Sequence, residues 1–388
     1  MPYSIVLVAD DIEALGGVQR FANILSTGLA ERGHRVSLLG INKSTDPMQY
    51  RRHSSVQTDS IYALPYSHFR QRVDNISTTH EDEAEIWHEH RLATEAGQLR
   101  LQQHIASWGP ETIVVVLQIS ALIALQKAGL LETRPDRPRV IAQYHGSFDY
   151  AQARGVLPRI VDEFSAVDLQ LFLTEEYARQ FAEAGLPDAG YVHNPNTLPP
   201  QTFDAAQREQ TVVSLSRLHE EKSLDELLTA WSLISEEFPS WTLALYGAGP
   251  ERSALELLAA ELGIAGSVKF CGVATDLADS LGKASINVLT SHREGWPLVV
   301  AEAAVCGIPT VAYDAGHGLQ RLIADSRTGI IVPTYQPEDF AKALSTLMGS
   351  SELRRTLGER AAQEISQYSL ENVIPQWEAI FEALLPQS

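Results

Sequence analysis

The chain has 388 residues, 44% of them hydrophobic and 20% charged, which suits two globular domains with separate cores and excludes a disordered chain. Its net charge is −19 and both halves share the acidic excess, so nucleic-acid phosphates would be repelled and no nucleic-acid partner is expected. No apolar run reaches the roughly 18–20 residues of a membrane span, and the start Met1-Pro2-Tyr3-Ser4 lacks the basic and apolar stretches of a secretory signal.

Ile5–Val8 reads as a buried strand, followed by a helix from Gly17 to Arg32 that Gly33 closes in the C-cap position. Strand-like runs follow at Arg35–Ile41, Thr112–Leu117, Val140–Tyr144 and Leu169–Leu173, with helical stretches between them. An acidic helix is expected over Glu81–Gln103. Its Glu81, Asp82, Glu83 and Glu85 point around the helix instead of converging, so no metal site is expected there. The region around Arg51, Arg52, Arg70 and Arg72 also holds Tyr50, Tyr62, Tyr66 and Phe69. It suits either a solvated loop or a surface that grips an acceptor or an anionic lipid.

Asn194-Pro195-Asn196 and Pro199-Pro200 break any regular element and mark a seam. The rhythm then restarts, with strands expected at Val212–Leu215, Leu243–Tyr246, Val268–Cys271, Ile286–Leu289, Thr310–Tyr313 and Ile330–Val332. The clearest helices are Leu224–Phe238, Glu251–Leu262 and Pro337–Met348, and an amphipathic helix ends the chain over Glu371–Leu385. Alternating strands and helices in both halves predict an α/β protein of two Rossmann-like, doubly wound parallel sheets, with ligands in a cleft at the C-terminal strand ends. Cys271 and Cys306, flanked by apolar residues and glycine, read as reduced core thiols of a cytoplasmic protein.

Four groups of residues carry chemistry. The run Glu294-Gly295-Trp296-Pro297-Leu298-Val299-Val300-Ala301-Glu302 has Pro297 where the first turn of a helix accepts it. The free amides of Leu298 and Val299 would then face an anion, with Glu294 in the loop before them and Glu302 reaching back toward a ribose diol. A capping Glu and a surface Glu fit the same spacing. Arg217 and Lys222 bracket the loop after a strand, where cations could support a leaving diphosphate or simply be solvated. Gly16 and Gly17 open the first helix and Gly247 follows a strand, each permitting close backbone approach to a ligand or just a tight turn. Gly16-Gly17 is not the dinucleotide fingerprint, which weakens a dehydrogenase reading. His145 ends a middle strand, as a ligand contact or as a structural imidazole.

Taken in order, these pieces resemble family 4 of the retaining GT-B glycosyltransferases. The resemblance runs through Gly16-Gly17-Val18-x-Arg20, Arg32-Gly33-His34-x-Val36 and His145-Gly146. It continues with Arg217…Glu221-Lys222, Tyr246-Gly247-Ala248-Gly249-Pro250, Phe270-Cys271-Gly272, the Glu294…Glu302 pair and Ala304-x-x-Gly307-Ile308-Pro309-Thr310-Val311-Ala312. Residues from about 43 to 110 match nothing in the pattern. Trp296 stands where Phe is common, and Leu173-Thr174-Glu175 also departs, slightly toward enzymes that decorate polyol-phosphate polymers.

The resemblance implies a GT-B fold with an acceptor-side domain over 1–195 and a nucleotide-sugar domain over 196–370, residues 371–388 packing back on the first. It implies transfer of a hexosyl group, with retention, from a nucleotide-diphosphate sugar (UDP-sugar favoured) to a carbohydrate, polyol-phosphate or glycolipid of the cell envelope. No cofactor or metal is expected, and the enzyme would work in the cytoplasm with peripheral contact at the inner membrane face. Arg217 and Lys222 would hold the diphosphate, Glu302 the ribose, and Glu294 and His145 the donor sugar, while Gly17 would approach the phosphate or sugar. A non-catalytic nucleotide-sugar binder or another GT-B enzyme such as an epimerase are the alternatives.

Overall fold

A computed structural model describes residues 2–63, 80–201, 208–323 and 327–385, without the side chains of 80–84. Arg70 and Arg72 lie outside the described residues, as do Tyr66 and Phe69 and the side chains of Glu81, Asp82 and Glu83. In chain order the elements are β1 (Ser4–Ala9), α1 (Gly17–Glu31), β2 (Arg35–Asn42), β3 (Gln57–Tyr62), α2 (His80–Ser107), β4 (Thr112–Val116), α3 (Ile119–Lys127), β5 (Arg139–Gln143), α4 (Phe148–Ala153), α5 (Leu157–Phe164), β6 (Leu169–Phe172), α6 (Glu175–Glu183) and β7 (Gly190–Tyr191). They continue with β8 (Thr211–Leu215), a 3₁₀ turn (Glu220–Lys222), α7 (Leu224–Ser232), β9 (Thr242–Tyr246), α8 (Arg252–Glu261), β10 (Val268–Gly272), α9 (Leu277–Lys283) and β11 (Ile286–Leu289). The last are α10 (Leu298–Val305), β12 (Thr310–Tyr313), α11 (His317–Ile323), β13 (Gly329–Val332), α12 (Pro337–Met348), α13 (Ser351–Glu364), a 3₁₀ turn (Ile365–Tyr368) and α14 (Leu370–Leu384).

Contacts divide the chain into two compact units. One gathers Met1–His145, Arg154–Pro195 and Leu370–Ser388, and the other Gly146–Ala153 and Asn196–Ser369. Each is built on a parallel sheet, in the order β3-β2-β1-β4-β5-β6-β7 in the first and β10-β9-β8-β11-β12-β13 in the second. Both orders reverse direction beside their first strand, between β1 and β4 and between β8 and β11, which is the Rossmann topology. The inner strands are mostly apolar because helices cover both faces: β4 is buried at all five positions and β11 at all four.

In the first unit, α1 buries Phe21, Leu25 and Leu29, four residues apart on one helix face, against Ile5, Leu7 and Ile113 of the sheet. Helix α14 joins the same core through Val373, Trp377 and Phe381. Its outer edge is tied by Glu378, which accepts from Arg32 Nη2 at 2.7 Å and meets His34 Nε2 at 3.0 Å. In the second unit Trp231, Tyr313, Phe340 and Leu344 fill the space between β8–β12, α7 and α12. Burying each such side chain contributes about 1.5–3 kcal/mol.

Three sequence expectations need correction. Cys271 is exposed, and only Cys306 is a core thiol; β10 is an edge strand, so alternate residues face outward. Helix α7 stops at Ser232, six residues early. The backbone beyond tightens into i→i−3 bonds, Ile234 to Trp231 and Glu237 to Ile234, so that Ile234 turns inward. Pro297 caps α10 as its N-cap, with φ −71° and ψ 97°, instead of occupying the first helical position.

Candidate functional site

The site is built on the second unit's switch point, where β8 and β11 lie side by side and their C-terminal loops meet. After β8 the chain passes Ser216–Leu218 and enters the 3₁₀ turn, held at its start by His219 Nδ1 accepting from the Glu221 amide at 3.4 Å. The turn ends at Ser223, a non-glycine residue with φ 45°. Such a conformation costs of order 1 kcal/mol or more and is kept where surroundings fix it. Thr290, buried at the end of β11, donates its hydroxyl to the Lys222 carbonyl at 2.8 Å and ties the two loops together.

Lys222 Nζ then meets Glu294 Oε1 at 2.7 Å, with both side chains less than one-fifth exposed. The Glu294 amide donates to the Ala315 carbonyl at 2.8 Å, so its loop is fixed against the loop after β12. Gly318 in α11 lies against the same loop: a Cβ there would stand 1.8 Å from the Gly295 carbonyl oxygen. Trp296 is buried edge-on against Tyr368, ring centroids 4.9 Å apart. Beyond Pro297, whose carbonyl accepts from Val300 and Ala301, Leu298 and Val299 hold the first two positions of α10, where backbone amides have no acceptor within a helix. The Lys222 ammonium, the Glu294 carboxylate and this helix start thus belong to one loop system.

Arg217 is more than half exposed, and its 3.4 Å contact with Glu221 is of the kind worth under about 1 kcal/mol. Tyr150, in α4, donates to the other oxygen of Glu221 at 3.3 Å. Glu302 is fully buried in α10 and accepts a hydrogen bond from the Thr197 hydroxyl. Gly247, at φ 146°, and Gly249 bring the turn after β9 against the turn after β8. A Cβ on them would stand 1.8 Å from the Ser216 carbonyl oxygen and 2.1 Å from that of Leu218. Cys306, just past α10, is a thiol that burial pushes up to about 12.

In the first unit Gly16 and Gly17 begin α1 beside the end of β1. His145 follows β5 with its ring 4.6 Å from Phe21, its Nε2 buried without a hydrogen-bond partner among the described residues. Burial drives its pKa down to about 3, so the imidazole is neutral at ordinary pH. Arg52 is held by its Nε donating to Asn23 Oδ1 and lies 4.0 Å from Glu13, whereas Arg51 is exposed. A polar cavity of about 800 Å³ opens elsewhere, at the N-terminal ends of β1–β4 among Arg35, Asp59, His104 and Trp108. It lies at the opposite strand ends from the loops just described. Among the described residues no three His, Cys, Asp or Glu side chains group as metal ligands, and no helix is long and apolar enough to cross a membrane.

Residues 200–364 match the family model of glycosyl transferases group 1, a span that contains Arg217, Lys222, Gly247, Glu294 and Glu302. That segment of the chain is similar to the group 1 glycosyl transferases. A glycosyltransferase of Haemophilus influenzae, itself uncharacterized, is 26% identical over 95% of this chain and 97% of its own. The poly(glycerol-phosphate) alpha-glucosyltransferase of Bacillus subtilis is 26% identical over 61% of this chain, which spans only 35% of that relative. Among solved structures, a TarM mutant of S. aureus in complex with Fondaparinux, alpha-GlcNAc-glycerol and UDP superposes with a TM-score of 0.76, covering 98% of this chain and 99% of that one. Its 13% identity makes that a likeness of fold. The chain thus has the GT-B fold of two Rossmann-like units.

Sequence reasoning named Lys222, Glu294 and the Leu298–Val299 helix start, and these come together. It missed Thr290, Thr197 and Tyr150, which hold them or their neighbours, because nothing in a local pattern marks a lone hydroxyl as a tether.

Proposed function

We propose that this chain is a glycosyltransferase that moves a hexosyl group, with retention of configuration, from a UDP-sugar to a hydroxyl of a cell-envelope acceptor. The observation that carries the reading is the largely buried Lys222–Glu294 pair, whose Glu294 lies in the loop that leads into α10, where Leu298 and Val299 hold the first two positions. A diphosphate leaving group gathers negative charge as the glycosidic bond breaks, and a fixed ammonium plus a helix N-terminus stabilise that charge without reorganising. Donor binding would draw Lys222 toward phosphate, with Arg217 closing from the exposed side, and release Glu294 to accept from sugar hydroxyls. Glu302, held at Thr197, would accept from the ribose diol. Neutral His145 would exchange a hydrogen bond with the donor sugar near its reacting carbon, and Gly16, Gly17 and Gly247 would let backbone approach the donor.

With charge neutralised by side chains and helix amides, the reaction needs no divalent cation. In the test, nucleotide release should require acceptor and persist in chelator; turnover lost in chelator and restored by Mg²⁺ or Mn²⁺ would overturn metal independence. Release of nucleotide without acceptor would favour a different group-transfer or epimerase chemistry.

The acceptor reading rests on the first unit. Arg52 keeps a buried Nη2 without a partner among the described residues, and arginine recognises phosphate through paired hydrogen bonds. Together with the poly(glycerol-phosphate) substrate named for the Bacillus relative, this supports an acceptor that carries phosphate, met by Arg51, Arg52, Arg70 and Arg72. Replacing these four by Ala should raise the acceptor's apparent KM and leave UDP affinity unchanged. Unaltered kinetics with the true acceptor would remove this surface from the reading.

A further inference from the structure

The Glu294 loop and the loop after β12 that braces it share a third neighbour, Tyr335, which lies beyond the end of β13. Tyr335 stands just before the Gln336 N-cap of α12, where an apolar side chain commonly packs onto the helix it precedes. Its ring does more than that. It lies on His292, centroids 4.5 Å apart, and edge-on to Tyr313 at 5.6 Å. His292 belongs to the Glu294 loop, and its Nε2 meets Glu226 Oε2 of α7 at 3.0 Å.

Ring packing needs no hydroxyl, and phenylalanine would supply it equally well. The Tyr335 hydroxyl donates to the Asp314 carbonyl at 2.6 Å. The next carbonyl along, that of Ala315, accepts from the Glu294 amide at 2.8 Å. The Asp314 carboxylate also accepts from Gln320 Nε2 of α11, at 2.9 and 3.0 Å. Tyr335 therefore touches both loops, with its ring on one and its hydroxyl on the other. Burial, and then the Asp314 charge, pushes its phenol up, so the hydroxyl keeps its proton and stays a donor at ordinary pH.

We propose that Tyr335 is a positioning residue for Glu294, clasping the Glu294 loop through His292 and fixing the Asp314–Ala315 segment on which the Glu294 amide rests. The Asp314 carbonyl and the Ala315 amide share one rigid peptide plane. The Ala315 carbonyl follows that plane after only two rotatable bonds, so releasing the first carbonyl widens the motion of the second. The Glu294 side chain would then leave its place beside Lys222 more often. The consequence for donor binding rests on the reading of Glu294 as a donor-sugar contact.

The test compares the wild type with Tyr335→Phe, which keeps the ring, and Tyr335→Leu, which removes both contacts. Amide hydrogen exchange is followed in the full chain without any ligand. The Glu294 amide should exchange roughly 3- to 10-fold faster in Tyr335→Phe, the effect of one lost hydrogen bond, and no slower than that in Tyr335→Leu. The Asn287 amide of β11, bonded to the Pro309 carbonyl, should keep its wild-type rate. Equal exchange at Glu294 in the wild type and every folded variant would overturn the proposal. So would an equal acceleration at Asn287, which marks general destabilisation. UDP affinity should stay within about twofold in Tyr335→Phe, while the affinity that UDP-glucose or UDP-N-acetylglucosamine gains over UDP shrinks roughly 3- to 10-fold. Because exchange is measured without donor, its failure is separable from failure of the transferase reading, which would show as no gain from either sugar in the wild type with the exchange effect intact.

Discussion

At the scale of single residues, the environment around each titratable group makes its state measurable. Burial lowers the His145 pKa to about 3, whereas in the unfolded chain it returns to about 6.5. The unfolded state therefore binds an extra proton between those values, and stability falls as pH drops through that window. Wild type should lose more Tm between pH 7 and pH 4 than His145→Gln, which has no proton to take up; parallel curves would contradict a buried neutral imidazole. The two thiols should also separate. Cys271 is exposed and should react with a thiol reagent in the native state, whereas Cys306, pushed up to about 12 by burial, should react only after unfolding. Native labelling at both positions would contradict the packing of α10. From sequence the two cysteines look alike, because flanking apolar residues do not reveal which strand lies at a sheet edge.

At the scale of elements, the readable part is what burial on both faces leaves in sequence. β1, β4, β11 and β12 stand out as apolar runs because a parallel strand has helices above and below it. β3 does not, since Gln57-Thr58-Asp59-Ser60 forms a partly wet edge with no apolar alternation. The first turn of α10 is legible through Pro297, although its capping position is not. What the pattern cannot convey is how closely elements approach. Gly318→Ala places a Cβ 1.8 Å from the Gly295 oxygen, so α11 or the Glu294 loop must shift at a cost of about 1–3 kcal/mol. Calorimetry should show a lower Tm and titration a weaker UDP affinity. Gly266→Ala, with nothing within 4 Å of its Cβ, should be close to neutral. If both variants behave alike, the loop is not braced by α11.

At the scale of the whole molecule, the topology does what local sequence cannot. Lys222 and Glu294 are 72 residues apart in the chain, and each alone reads as readily as a solvated charge. They meet because strand order reverses between β8 and β11, which brings the loop after one beside the loop after the other. The alternation of strands and helices announces that topology, and with it the neighbourhood of the site. The partners that hold it, Thr290 on Lys222 and Thr197 on Glu302, belong to the folded chain and leave no mark in a motif. The acidic balance of the chain adds to this: at net charge −19, a diphosphate needs local cations to be held at all.

If Lys222 and the α10 helix start bind a nucleoside diphosphate without a metal, UDP should bind in excess chelator, which calorimetric titration measures. The wild type should bind saturably and Lys222→Ala should lose roughly 10- to 100-fold in affinity, the magnitude of one charge-assisted hydrogen bond. Equal affinity in the two proteins, or binding by the wild type only when a divalent cation is supplied, would contradict it.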